Sequence, residues 1–213
     1  MSTHLAPEIA THIDAIAAAL RGDGCLVLPD FLPASQCDEL FADCQQRRAE
    51  FVEAAVGRGS ARRQLRDQRR DATLWLRENV AVQRDFLQAM DSLRGELNRR
   101  LYLGLRDYEA HYAHYAPGAF YRRHRDAFAQ VRADVGTLKG INSPQRILTS
   151  VFYLNTNERG GELVLFSNGR DERELVRIAP VAGTAAFFLS AEFPHEVLPA
   201  QSDRYSIAGW FRG

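Results

Sequence analysis

Tyr108-Glu-Ala-His-Tyr-Ala-His-Tyr115-Ala-Pro-Gly118-Ala-Phe-Tyr121-Arg-Arg-His124-Arg-Asp126 is where the chain changes texture. An aromatic run from Tyr108 to Tyr115 meets a Pro-Gly turn, and a second short run follows from Tyr121 to His124. The same habit continues to the end of the chain. Short runs rich in β-branched and aromatic residues lie at Ile147 to Leu154, Glu162 to Phe166, Leu175 to Ile178, Thr184 to Leu189 and Tyr205 to Phe211, separated by Gly, Pro, Asn and Asp. Such spacing predicts a series of strands in an all-β sandwich or barrel.

Upstream of this stretch the periodicity is helical. Ile9, Ile13, Ile16, Ala17 and Leu20 recur at helical spacing until Gly22 and Gly24 break the pattern before the apolar run Cys25 to Leu28. Pro33-Ala-Ser35 followed by Asp38 reads as a loose capping box, with Leu40, Phe41, Phe51 and Val52 as apolar positions of a longer helix. Phe86, Met90, Leu93, Leu97 and Leu101 form one apolar stripe about 20 Å long on a further helix. Between these helices runs the arginine-rich stretch Gly57 to Arg70, expected to be a mobile loop. Helices first and strands afterwards predict an α+β, mainly β fold: an antiparallel double-sheet jelly roll with the N-terminal helices packed on one outer sheet. The chain of 213 residues, 46% hydrophobic, is expected to form a single domain over 1–213, with helical support and loop in about 1–105 and the jelly-roll core in about 106–213.

Balanced charge, with 27 basic and 27 acidic residues, argues against general nucleic-acid binding. With no membrane-length apolar stretch and no signal-like start, a cytoplasmic location is expected. Cys25, Cys37 and Cys44 have no zinc-site spacing and are expected to be reduced.

His124 and Asp126 stand two residues apart, a spacing that on a strand puts both on one face. His195 arrives in Phe193-Pro-His-Glu-Val197, at the start of an expected neighbouring strand. Two histidines and a carboxylate leave metal positions open, as non-haem Fe(II) oxygenases require, whereas a structural zinc site is closed by four ligands. A lone His-x-Asp is weak, since most such histidines are merely solvated. Arg204, nine residues after His195, strengthens it. A guanidinium entering an otherwise apolar strand pair needs a partner, and its fork matches a carboxylate.

In this order of residues the chain resembles the Fe(II)/2-oxoglutarate-dependent dioxygenase superfamily, whose fold is a double-stranded β-helix. The local wording is similar to its prolyl 4-hydroxylase and hypoxia-sensing prolyl hydroxylase branch: Tyr115-Ala-Pro-Gly118, Tyr121 to Asp126, Arg146 through Phe152-Tyr-Leu-Asn155, Gly160-Gly-Glu-Leu163 and Pro194-His-Glu-Val197. The resemblance implies iron bound by His124, Asp126 and His195, with Arg204 pairing the far carboxylate of the 2-oxoglutarate co-substrate. It further implies that Tyr153 donates to that carboxylate, that Tyr115 lies near the other end, that Ser206 adds a hydroxyl, and that Trp210 lines the metal pocket. Arg62, Arg63 and Arg66 fall in what resembles the branch's substrate-covering loop, which leads into Asp71-Ala-Thr-Leu-Trp75.

The chain departs from the hypoxia-sensing enzymes in a longer connection, Ala127 to Gln145, containing Arg132, Asp134, Lys139 and Gly140, which is expected to shape the substrate entrance. The implied activity is hydroxylation of a prolyl residue in an intracellular protein, with O2 consumed, succinate and CO2 released and ascorbate an optional reductant. Components of the translation machinery are among the target proteins the branch suggests, as is an oxygen-sensing role. The alternatives are a superfamily oxygenase acting on a small molecule or nucleic acid, and a non-catalytic jelly-roll binding module.

Overall fold

The computed structural model describes residues 10–54, 67–127, 145–169 and 173–213. Ile9, the loop arginines Arg62, Arg63 and Arg66, and Arg132, Asp134, Lys139 and Gly140 lie outside them. Helix α1 (Ile13–Arg21) buries Ile13, Ile16, Ala17 and Leu20, the face its periodicity predicts. Strand β1 (Cys25–Leu28) follows. Helix α2 (Ala34–Gln46) is shorter than expected. Its N-cap is Pro33, which makes no side-chain capping bond, so the capping box does not form. Phe51 is extended, and Val52 belongs to the short strand β2 (Val52–Glu53) paired with β3 (Ala72–Trp75). Helix α3 (Ala81–Leu101) buries Phe86, Met90, Leu93 and Leu97 along one stripe, and ends where Tyr102 turns left-handed at φ 54°.

The remaining strands are β4 (Asp107–Tyr115), β5 (Tyr121–His124), β6 (Arg146–Tyr153), β7 (Leu163–Phe166), β8 (Glu174–Ile178), β9 (Ala185–Leu189), β10 (His195–Val197) and β11 (Arg204–Arg212). They form two antiparallel sheets, one in the order β1-β9-β6-β11-β4-β3-β2 and one in the order β5-β10-β7-β8. The result is the expected mainly-β jelly roll, with α1 and α3 against the larger sheet.

Strand alternation divides the core in two. Phe152, Phe187, Ile207 and Phe211 point to the helices and join Phe31, Phe86 and Met90. Their chain neighbours Tyr153 and Phe188 point between the sheets, among Tyr115, Leu163, Leu165 and Val197. The second, inter-sheet layer positions the site. The three cysteines are free thiols, and among the described residues no helix is long and apolar enough to cross a membrane.

Candidate active site

β10 pairs with β5 so that His195 stands directly across from His124, which brings together two imidazoles about seventy residues apart in the chain. Their ring centroids are 4.2 Å apart. Asp126 lies just past the end of β5, so strand alternation alone does not aim it. Thr149 on β6 does, donating its hydroxyl to Asp126 Oδ2 at 2.9 Å while sharing a hydrogen bond with Ser190. The carboxylate then lies 3.6 Å from His124 Nε2 and 3.5 Å from His195 Nε2. One ligand atom from each residue falls within 4.8 Å of the others. Donors sharing one ion at about 2.1 Å each are spaced on this scale.

The imidazoles are oriented for ligation. Nδ1 of His124 lies 2.8 Å from the Arg122 carbonyl, and Nδ1 of His195 lies 3.0 Å from the Phe193 carbonyl. A carbonyl accepts only, so each Nδ1 carries the proton and each Nε2 presents its lone pair. Burial, reinforced by His124, pushes His195 down to about 4, so its ring is neutral at pH 7. Burial works against the Asp126 carboxylate, but His195, His124 and Arg146 outweigh it and hold the group below its usual range. Two imidazole nitrogens and one carboxylate oxygen suit Fe(II) and leave coordination positions for further ligands.

Arg204 opens β11, facing Tyr115 across β4, and is 1% exposed. Its Nη1 donates to Ser206 Oγ at 3.0 Å, and its guanidinium lies 4.8 Å from the Tyr115 ring and 4.9 Å from the Tyr153 ring. Among the described residues its buried Nε has no acceptor, and no carboxylate pairs with it. A buried cation in this condition calls for an anion. Burial pushes the Tyr115 and Tyr153 phenols up, so both remain protonated donors. The cluster therefore fits the far carboxylate of a dicarboxylate. Gly161 leaves room for it: at φ +75°, an added Cβ would come within 2.9 Å of Arg204 Cδ.

Trp210 shares the Arg204 and Ser206 face of β11, 6% exposed, and among the described residues its indole N–H has no acceptor. The Arg146 guanidinium lies 3.4 Å above its ring and 4.0 Å from Asp126 Oδ1, held by Glu109 at 2.9 Å. Trp75 and His111 extend the aromatic wall, with ring centroids 6.3 and 5.3 Å from Trp210.

Sequence reasoning assigned no role to Tyr121, Thr149 or Glu109. Tyr121 stacks on His124 at 3.5 Å under the guanidinium of Arg69, which is paired to the buried Asp71 at 2.7 Å. A tyrosine or threonine in a strand is ordinary, so nothing in the sequence marks these. An unusual signal was available only at Glu109, a carboxylate in the half-buried start of a strand whose later residues are buried.

Residues 110–212 match the family model of the 2OG-Fe(II) oxygenase superfamily. Among solved structures, a Pseudomonas putida prolyl-4-hydroxylase is 36% identical, with 94% of this chain and 98% of that chain covered at a TM-score of 0.78. A Trichoplax adhaerens prolyl hydroxylase in complex with a hypoxia-inducible factor oxygen degradation domain peptide fragment is 24% identical, covering 96% and 90% at a TM-score of 0.76. The viral collagen prolyl hydroxylase of Paramecium Bursaria Chlorella virus-1, as its 2OG complex, is 20% identical, covering 91% and 98% at a TM-score of 0.62. No curated protein matches by sequence.

Proposed function

Because the chain belongs to the 2OG-Fe(II) oxygenase superfamily, in its prolyl 4-hydroxylase-like branch, we propose that it hydroxylates a prolyl residue in an intracellular protein. It is an Fe(II)- and 2-oxoglutarate-dependent dioxygenase. The observation that supports proline as the target is the likeness, over nearly the whole of both chains, to the Pseudomonas putida prolyl-4-hydroxylase. Fe(II) and 2-oxoglutarate supply the activation of dioxygen and the oxidation of a substrate C–H bond, coupled to release of succinate and CO2.

The chain's own residues bind, orient and exclude water. In this reading His124, Asp126 and His195 hold the iron, and Thr149 fixes the carboxylate that completes the set. Arg204, with Ser206 and Tyr153, takes the far carboxylate of 2-oxoglutarate, and Tyr115, whose ring also lies beside Arg204, is assigned by family resemblance to the end nearer the metal. Trp210, pressed by Arg146, walls the metal pocket and helps keep it dry. The whole chain acts as one oxygenase domain. Its protein substrate is a cytoplasmic one, with the translation machinery a natural place to search, ascorbate an auxiliary reductant and oxygen supply a natural regulator.

Anaerobic titration with Fe(II) and 2-oxoglutarate tests the site. The visible charge-transfer band of the chelate is expected in wild type and absent in His124→Ala. Iron-loaded, folded protein without the band would refute the ligand assignment. Mass spectrometry of proline-containing peptides and cell extract then tests the substrate: a gain of one oxygen on proline is expected. Turnover of 2-oxoglutarate stimulated by a small molecule or methylated nucleic acid, with prolines unmodified, would replace the protein substrate.

A further inference from the structure

We infer that Asn155 is a positioning residue that sets the direction of Arg204 and, through it, the preference for a dicarboxylate over a monocarboxylate 2-oxo acid; this rests on the reading of Arg204 as the carboxylate anchor. β6 ends at Tyr153, and the main chain pairs once more with β11 when the Leu154 N–H donates to the Tyr205 carbonyl at 3.0 Å. The side chain of Asn155 then takes over as the strand partner. Its Oδ1 accepts from the Tyr205 N–H at 2.7 Å, and its Nδ2 donates to the Asp203 carbonyl at 2.8 Å. Those two groups belong to the two peptide units joined at the Arg204 Cα, so the amide clasps the chain on both sides of that residue. Across the strand, Arg204 is in register with Tyr115 on β4.

The residue type follows from the task. A carboxamide carries an acceptor and a two-proton donor at one side-chain length, which neither a carboxylate nor a hydroxyl offers. The Asn155 Nδ2 also donates to Asn157 Oδ1 at 3.1 Å, and Asn157 is tied in turn to the Ser202 carbonyl and hydroxyl. With the Arg204 side chain buried and seated against Gly161, a swing of its Cα–Cβ bond passes directly to the guanidinium. Positioning errors on the ångström scale are expensive at such sites.

A clasp that merely held β11 in place would weaken every ligand alike when lost. A positioning clasp weakens only ligands that reach Arg204. The test is anaerobic equilibrium titration of the Fe(II)-loaded full chain, followed by the charge-transfer band, with 2-oxoglutarate and with 2-oxobutyrate, which has the same keto-acid end and no far carboxylate. Arg204→Leu should abolish the advantage of 2-oxoglutarate. Asn155→Ala should cut that advantage about tenfold, with 2-oxobutyrate and iron binding unchanged. Asn155→Asp, which still accepts from Tyr205, should lose a smaller part, and it decides the question alone where Asn155→Ala does not fold. If the advantage persists in the Asn155 variants while Arg204→Leu removes it, or if both ligands weaken equally, the inference is overturned and the anchor stands. If Arg204→Leu leaves the advantage intact, the anchor reading itself has failed.

Discussion

Replacing Gly161 with alanine separates the conformational from the steric demands of the anchor. At φ +75° the left-handed backbone costs an alanine about 1–2 kcal/mol. In addition its Cβ would sit 2.9 Å from Arg204 Cδ, about 0.5 Å short of ordinary van der Waals contact, so the arginine has to move. A shift of that size takes one arm of the guanidinium fork out of hydrogen-bond range of a carboxylate. Loss of one charge-assisted bond is worth about 1.5–3 kcal/mol, or roughly 10- to 100-fold in affinity for 2-oxoglutarate. Gly118 is the control. It sits at φ +81° with no described residue within 4 Å of an added Cβ, so Gly118→Ala carries the conformational cost alone. Urea unfolding should show a destabilisation in Gly161→Ala at least as large as in Gly118→Ala, while titration of the Fe(II) chelate should show weakened 2-oxoglutarate binding only in Gly161→Ala. Wild-type affinity in Gly161→Ala would refute the argument that this glycine exists to seat Arg204.

Thr149→Val removes the hydroxyl aimed at Asp126 with little change of shape, and iron affinity should fall about 10- to 100-fold by equilibrium dialysis; an unchanged constant would show that Asp126 needs no such support. Arg204→Lys replaces the fork with a point donor and should raise the KM for 2-oxoglutarate more than it lowers kcat, so wild-type kinetics would dismiss the carboxylate assignment. Burial, helped by Arg69, holds His111 down to about 4, against about 6.5 in the unfolded chain. Its neutral form is therefore the folded one: stability from this residue is complete above pH 6.5 and is lost as the pH falls toward 4, by about 3 kcal/mol in all. Metal-free His111→Leu should have a correspondingly shallower acid limb in urea unfolding, and parallel limbs would remove His111 from the account.

The strands after Asp107 were legible because β-branched and aromatic residues cluster there between turn residues, and α3 because Phe86, Met90, Leu93 and Leu97 repeat over several turns. Phe51 and Val52 misled for a physical reason. Their spacing continues that of α2, but the chain leaves the helix after Gln46, so that Phe51 packs its ring edge-on to His114 at 6.3 Å and Val52 pairs with Thr73. In the candidate site the ligand types and the arginine could be read, because imidazoles and a buried guanidinium are costly without partners. What supports them could not. Thr149, Asn155 and Gly161 are common residues whose significance comes from register: which side chain lies opposite Asp126, which amide reaches both sides of residue 204, which Cβ would collide with Arg204.

With Arg204 read as the carboxylate anchor, its burial also couples ligand binding to folding. In the unfolded chain Arg204 is a hydrated side chain with no special affinity for a dianion, whereas in the folded one its charge is kept from water and faces two phenols and a serine. A co-substrate that binds only the folded form stabilises it by mass action, by about 2.7 kcal/mol at a hundred times its Kd. Resistance to heat and proteolysis then rises with the supply of 2-oxoglutarate.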